Sequence, residues 1–453
     1  MHPTFKIFEK ILLFLRLAGP IVLTQFSLIA GSFVAILLSG QYSTLHLAGV
    51  SVGYNIWTAC FFGAMGILLG ISPIIAQLLG AEKRDTIPTI ITHGLYLAII
   101  LGSLLIIAGV LALKPLLTLI NLAPDAQVIT IDYMIAIAFG IIPLMGSTVL
   151  RNSVDAHGFT HYSMMIMVSS FVLNVILNYA LILGHFGLPA FGGVGAGIAT
   201  AISCWYNFLA YIIILLFNKN FKHYKVFRQW SAFQSPYVIE QLTLGVPIGI
   251  AIFCEMSIFS LAGLLMAYYG TEIIAAHQAA ISFTNLFYGF PLSISIASTI
   301  TVGYEVGAKR FRDAKQYAYI ARGIAIIIAI LICMYSFTHL EQIAGFYTND
   351  PHMIGLISSF LSYAVFFTVI DAFGTPLQGV LRGYKDVRII SIIALTCYWG
   401  VSTPIAALFT FGFDFGPYGI WMGLLGGLTA ASISYTVRVW YIQHRRYAKE
   451  LEA

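Results

Sequence analysis

Charge is what this sequence has least of. Asp, Glu, Lys and Arg together make up 9% of 453 residues against 59% hydrophobic residues, and the mean hydropathy of +0.90 excludes a surface solvated by water. Cysteine is equally sparse. Cys60, Cys204, Cys254, Cys333 and Cys397 fall singly inside apolar stretches, which excludes a disulfide framework or a paired-cysteine metal centre and leaves them as packing residues. No Gly-rich segment follows a strand and leads into Lys-Ser/Thr, so no nucleotide site is visible. The glycines of 192–197 and 423–427 read instead as close helix packing. Nor are there rings of repeated filter residues, as a channel would need. The chain is expected to be neither an enzyme nor a channel, and to use no cofactor.

What is abundant is apolar length. A span needs about 20 apolar residues, and twelve stretches qualify: 13–39, 50–79, 88–113, 128–149, 162–183, 194–217, 242–269, 273–302, 317–338, 353–381, 387–411 and 418–437. Segments of this length and glycine content are helices, not barrel strands. The fold class is therefore an all-α polytopic membrane protein.

Basic residues set the topology, because Lys and Arg accumulate in cytoplasmic loops. One side carries Lys6, Lys10 and Arg16, Lys83 and Arg84, Arg151, then Lys219, Lys222, Lys225 and Arg228. It continues with Lys309, Arg310, Arg312, Lys315 and Arg322, then Arg382, Lys385 and Arg388, and ends with Arg438, Arg445, Arg446 and Lys449. The other side holds only Lys114 of the 23 basic residues. Both termini are expected in the cytoplasm, and the net charge of +5 reads as orientation, not as a footprint for nucleic acid. The first apolar stretch has full span length and no small-residue cleavage site, so it is expected to remain as the first helix.

The one substantial hydrophilic segment, 218–236, divides the chain into halves 1–217 and 237–453 and reads as a cytoplasmic linker. The halves repeat one another. Pro20 and Gly80-Ala81 recur as Pro247 and Gly307-Ala308, a basic pair follows each, and Gly192-x-x-Gly195 recurs as Gly416-x-x-Gly419. Six helices per half give the copies one orientation, so two pseudo-twofold-related six-helix lobes around a central cavity are expected.

Two acids lie deep inside otherwise uncharged stretches. Glu255 is the only Asp, Glu, Lys or Arg between Glu240 and Glu272, and Asp371 the only one between Asp350 and Arg382. A charge at mid-bilayer costs on the order of 2.5–3.5 kcal/mol, so such residues mark an ion or substrate path. Two carboxylates facing one another in a low dielectric repel, and a bound cation or proton relieves the conflict. Oxygen ligands suit Na⁺ as well as H⁺, and Asn285, Thr284, Thr368 and Tyr363 could complete a shell. The alternative is that each acid is polar glue between helices.

Gly80-Ala81-Glu82-Lys83-Arg84, the run 173–179 with its Asn174 and Asn178, Ala276-His277-Gln278, Val302-Gly303-Tyr304-Glu305-Val306-Gly307 and Leu381-Arg382-Gly383-Tyr384-Lys385-Asp386 resemble the multidrug and toxic compound extrusion (MATE) family, its NorM-like branch above all. The resemblance covers the whole chain. It implies a secondary antiporter in a bacterial cytoplasmic (inner) membrane, acting as a monomer. Such a transporter exports organic, cationic compounds in exchange for Na⁺ or H⁺, with Glu255 and Asp371 as the cation-coupling pair. One departure stands out: the family often has an acid on the first helix, fifteen residues after the proline, where this chain has Ala35. Pro20 and Pro247 can still bend their helices by removing a backbone hydrogen bond, but coupling moves to the second half.

In the first half, Asp155 has two readings. Either it joins Asn174 and Asn178, which share a helix face, in a polar cluster for substrate or proton, or it pairs with Arg151 near a helix end while the asparagines act as glue. His277 and His93 read as hydrogen-bonded packing residues. Phe287, Tyr288, Phe290 and Phe367 could offer flat contacts to aromatic cations, at about 0.5–2 kcal/mol each. A lipid-linked saccharide flippase of the same superfamily is the alternative function; it would need a basic residue mid-span for the pyrophosphate, and none is apparent.

Overall fold

The computed structural model describes residue 4 and residues 6–119, 123–227 and 230–446. Arg228 and Lys449 of the basic runs lie outside these, as do the side chains of Cys60, Arg445 and Arg446. Among the described residues the regular structure is helical, and twelve helices are long and apolar enough to cross a membrane. They are α1 Ile7–Tyr42, α2 Thr44–Gly80, α3 Arg84–Thr118, α4 Pro124–Ala156, α5 Thr160–Leu183, α6 Gly193–Phe217, α7 Ser235–Tyr269, α8 Thr271–Gly307, α9 Phe311–Thr338, α10 Pro351–Gly383, α11 Val387–Gly412 and α12 Pro417–His444. Each matches one expected span and most extend beyond it, since helix continues past the apolar core into polar flanks. A short helix, Leu340–Gly345, between α9 and α10 had no counterpart in the hydropathy pattern.

The repeat is visible in backbone geometry as well as in sequence. Left-handed residues recur at matched positions: Glu82 (φ 58°) and Lys309 (φ 59°), Gly158 (φ 87°) and Lys385 (φ 57°), Gly192 (φ 54°) and Gly416 (φ 57°). L-residues avoid this region, so its reuse at corresponding turns marks duplicated connections. Gly192 and Gly416 also share ψ, −136° and −133°, where they lead into α6 and α12.

Contacts divide the chain into two compact units. One comprises the residues up to Val22, Leu79–Glu82 and those from Ile250 onward; the other comprises Leu23–Leu78 and Lys83–Gly249. The division falls two residues beyond Pro20 in α1 and two beyond Pro247 in α7, so each half lends its first helix-start to the other unit. Both prolines lie inside continuous helix.

In the unit containing Leu23–Leu78, α2 and α7 touch backbone to backbone: a Cβ on Gly70 would lie 2.8 Å from Gly245 N. His93, buried on α3, presents Nδ1 to the Thr89 carbonyl at 2.7 Å and accepts from Gln234 N at Nε2 at 2.8 Å. That pattern requires the neutral tautomer with hydrogen on Nδ1, which pins the linker's end to α3. In the unit containing Ile250 onward, α8 and α10 are the most intimate pair. A Cβ at Gly379 of α10 would overlap the Ser295 carbonyl of α8.

Several basic residues read from sequence as loop charges are paired in the structure, and Lys10 is buried as well. Lys10 is 1% exposed and donates to Asp313 Oδ1 and Gln316 Oε1, both at 2.5 Å. Arg310 donates to Glu305 Oε2 at 2.6 Å, and Arg438 binds both oxygens of Asp386, at 2.6 and 3.2 Å. Orientation counting sees where a charge lies along the chain, not whether a neighbouring helix supplies its partner. Cys204, Cys254 and Cys397 are buried and free, and Cys333 is half-buried and free, as packing residues should be.

Candidate cation-coupling site

Glu255 on α7 and Asp371 on α10 are 6% and 2% exposed and lie within electrostatic range of one another. Neither is set in a purely apolar wall. Asp371 accepts from the Thr375 hydroxyl at 2.5 Å. Beside Glu255 stand Tyr288 of α8 and Gln378 and Arg382 of α10. Asp371, Thr375, Gln378 and Arg382 follow at i, i+4, i+7 and i+11, the spacing of one helix face, so a single polar stripe of α10 runs from the acid to the buried guanidinium.

Arg382 gives Glu255 a basic neighbour. It sits within α10, not in the loop that follows, is 5% exposed, and donates Nη2 to Ser295 Oγ at 3.0 Å and Nε to the Gln378 carbonyl at 3.4 Å. The signal was present as the i+11 spacing, but the apolar count ended the span at 381. Arg382 was therefore assigned to the surface.

Glu255 also opens onto a small cavity with about 10 Å³ of space for water centres, room for one water-sized occupant. Its polar walls are Glu255, Tyr398 and Ser402, and Phe259 and Phe367 close it with apolar surface. Phe259 and Phe367 pack edge to face, with centroids 5.3 Å apart.

The neutral ligands expected from sequence do not line this cavity. Thr284 and Thr368 donate to the Ala280 and Ala364 carbonyls of their own helices, each at 3.0 Å. Tyr363 stacks on Tyr418 with centroids 5.7 Å apart, and Asn285 is exposed. Of the aromatic residues singled out, Tyr288 and Phe367 adjoin Glu255, whereas Phe287 packs on Phe283 at 4.8 Å and Phe290 is half-buried on the same helix. His277 is buried and packs edge-on against Trp421 at 5.7 Å, but its Nδ1 has no hydrogen-bond partner. It is a packing residue without the hydrogen bond expected at that nitrogen.

In the first half, Asn174 and Asn178 bond to each other: Asn178 Nδ2 donates to Asn174 Oδ1 at 2.8 Å, and Asn174 Nδ2 donates to Ser203 Oγ at 3.1 Å. Asp155 is not with them. It faces Ser163, which lies eleven residues before Asn174 on α5, about 16 Å along the helix. Nor is it ion-paired with Arg151: among the described residues no such pair lies within 4.0 Å, although Arg151 is in electrostatic range. Asp155 Oδ1, Ser163 Oγ and Tyr211 Oη are buried without hydrogen-bond partners and form a polar cluster of their own. The i+4 spacing to Arg151 drew attention from Ser163 and Tyr211, which tertiary packing brings in. Ala35 is buried on α1, and its carbonyl accepts from Ser39 Oγ at 2.8 Å.

His157 and His161 stand four residues apart and have separate partners. His157 contacts the Ser153 carbonyl at 2.7 Å and Tyr224 Oη at 3.0 Å, and His161 packs on Tyr162.

The MatE family model matches this chain twice, over residues 20–180 and 247–408. The chain belongs to the MATE family. The double match coincides with the two sequence halves, and relatives extend the likeness end to end. Probable multidrug resistance protein NorM of Oceanobacillus iheyensis is 41% identical over 447 residues, covering 98% of this chain and 100% of the relative. The protein of that name from Bacillus subtilis is 39% identical over 450 residues, covering 99% and 100%. Among solved structures, MATE in the straight conformation superposes with a TM-score of 0.88 at 20% identity, over 98% of this chain and 97% of that one. A multidrug resistance MATE family transporter in an outward-facing conformation gives 0.87 at 20% identity, over 100% of both chains. These establish the MATE fold for the twelve helices.

Proposed function

We propose that this MATE protein is a secondary antiporter that exports organic, cationic compounds in exchange for Na⁺ or H⁺. Glu255 and Asp371 are its cation-coupling pair. The observation that carries this reading is the burial of two acids within range of each other in the membrane interior, with one guanidinium nearby. Either acid can give up its charge to a proton or neutralise it with a cation, and a cationic cargo competes for the same negative charge. Exchange requires that differential interaction. The names of the NorM relatives support multidrug cargo, and the absence of a nucleotide motif in the sequence supports an ion gradient as the energy source.

In this reading the halves 1–217 and 237–453 act as the two lobes of an alternating-access cycle, joined by the cytoplasmic linker 218–236. The protein works as a monomer in a bacterial inner membrane with both termini cytoplasmic. Asp155, Ser163 and Tyr211 form a second polar cluster, and Asn174 with Asn178 serve as interhelical glue. Arg382 does not favour a flippase, because it is held by Ser295 and the Gln378 carbonyl and its charge is offset by Glu255.

Uptake of a fluorescent organic cation into proteoliposomes under separately imposed Na⁺ and H⁺ gradients tests the proposal. Glu255→Gln and Asp371→Asn should each abolish gradient-driven transport in folded protein, and the double variant should lose little more. Near-wild-type transport by both single variants would refute the pair's role.

A further inference from the structure

We propose that α4 and α6 form a groove on the lipid-facing surface of their unit that seats a phospholipid with a primary-ammonium headgroup, the ammonium pairing with Asp132.

Val128, Asp132, Ile135 and Phe139 follow one another on α4 at i, i+4, i+7 and i+11, the spacing of one helix face, and all four are exposed. An exposed face of a spanning helix that is otherwise apolar over three turns is turned to lipid. Asp132 stands eight residues past Pro124, about 12 Å along the helix, and four residues inside the apolar run 128–149. Among the described residues no side chain bonds to its carboxylate. Acids within spans ordinarily face the bundle interior or a partner. This one does neither, which points to a counter-charge from outside the chain.

The surface beside it is shaped to hold an apolar tail. Asp132, Ile135 and Phe139 line a groove of about 530 Å³ together with Ile198, Ile202 and Trp205 of α6. The two helices meet backbone to backbone, which gives the groove a floor: a Cβ on Gly140 would lie 2.8 Å from Ala201 Cα, and one on Gly197 would lie 2.8 Å from the Tyr133 carbonyl oxygen. Trp205 Nε1 donates to the Phe139 carbonyl at 3.1 Å. That bond fixes the indole as a wall and engages its one polar group, so the groove is apolar at Phe139, about 10 Å further along α4 than Asp132.

The groove thus has an anionic end and an apolar end, and the anionic end is the one nearer the start of α4. In the topology proposed above that start is periplasmic. An outer-leaflet phospholipid has the same polarity, with its headgroup toward the helix start and its chains inward. Charge complementarity selects the headgroup. A primary ammonium brings a positive charge and N–H donors to a carboxylate, whereas the headgroup of phosphatidylglycerol brings only negative charge to an acid.

The second half shows that the fold does not need this acid. Pro20 and Pro247, and Gly80 and Gly307, are 227 positions apart (247 − 20 and 307 − 80). The same offset maps Asp132 onto Ser359 and Phe139 onto Phe366. Phe366 is again exposed, but Ser359 donates its hydroxyl to the Gly355 carbonyl of its own helix at 3.0 Å. The second copy keeps the exposed aromatic ring and not the acid.

The test is native mass spectrometry of the purified full-length protein in detergent, titrated with phosphatidylethanolamine and phosphatidylglycerol of matched chains. Wild type should retain phosphatidylethanolamine in preference, and Asp132→Asn should reduce that preference about fivefold, the loss of one charge-assisted contact. Asp132→Ser, which introduces the residue type of the other half, gives the same reading if Asp132→Asn does not fold. Trp205→Ala should weaken retention of both lipids without changing their ratio. Equal retention of the two lipids by wild type, or an undiminished preference in Asp132→Asn, overturns the inference. Wild-type retention of both lipids by Trp205→Ala overturns the groove as the seat of the chain. A fluorescent organic cation that binds wild type but not Asp132→Asn, with phosphatidylethanolamine retention equal in the two, overturns the lipid and makes the groove a site for cargo.

Discussion

Thr375 donates its hydroxyl to Asp371 Oδ1 at 2.5 Å, one turn along the same helix. The bond leaves Asp371 oriented by α10 itself, whereas Glu255 is surrounded by groups from α8, α10 and α11. The two acids thus share a region without sharing an environment.

Removing that donor should expose the difference. Thr375→Val is expected to destabilise the protein by about 1–3 kcal/mol, the cost of a lost bond to a charged group, and to slow gradient-driven export. Thr375→Ser should retain both properties. Thermal unfolding in detergent and the proteoliposome assay measure the two effects, and equal losses in the serine variant would count against the hydrogen bond as the cause.

Arg382 is buried with its charge facing Glu255. Arg382→Met should cost about 3–5 kcal/mol because it strands an acid without its counter-charge. Adding Glu255→Gln should restore part of that loss, which strictly additive destabilisation in a double-mutant cycle would contradict.

At the other end of that unit, Lys10 on α1 is held by Asp313 and Gln316 of α9. Lys10→Met should cost less than Asp313→Ala, because methionine fills the buried volume of the lysine stem, whereas the aspartate change leaves an ammonium 1% exposed without its anion. Unfolding midpoints of the two variants rank the effects.

His157, in the turn between α4 and α5, has its pKa pushed down to about 4 by burial, against an opposing bond from the Ser153 carbonyl. The unfolded chain therefore binds more protons than the folded one between about pH 6.5 and pH 4. Stability contributed by the neutral ring is full above pH 6.5 and falls as pH drops through this window, by about 3 kcal/mol in all. His157→Gln should flatten that part of the stability profile. A profile unchanged by the substitution would mean that other groups set the acid limit.

Much of the architecture was legible in the sequence for one physical reason. Lipid permits few ways to satisfy a backbone, so twelve apolar runs become twelve helices. Internal repetition was equally plain, because turns that demand left-handed residues keep their positions in both copies. Glu255 and Asp371 stood out because a charge in an apolar run has no cheap explanation.

The surroundings of those acids were another matter. Tyr398 and Ser402 lie more than 140 residues from Glu255 along the chain, and nothing in the sequence singles either of them out. Only helix packing brings them to the walls of one cavity. The same holds for Ser163 and Tyr211 beside Asp155, for which the sequence offered only Asn174 with Asn178, or Arg151. Hydropathy determined which segments enter the membrane, and the repeat determined that they do so twice. Tertiary structure decided which polar atoms meet, because a rotation of a few tens of degrees about a helix axis decides the matter and leaves no trace in the pattern of apolar residues.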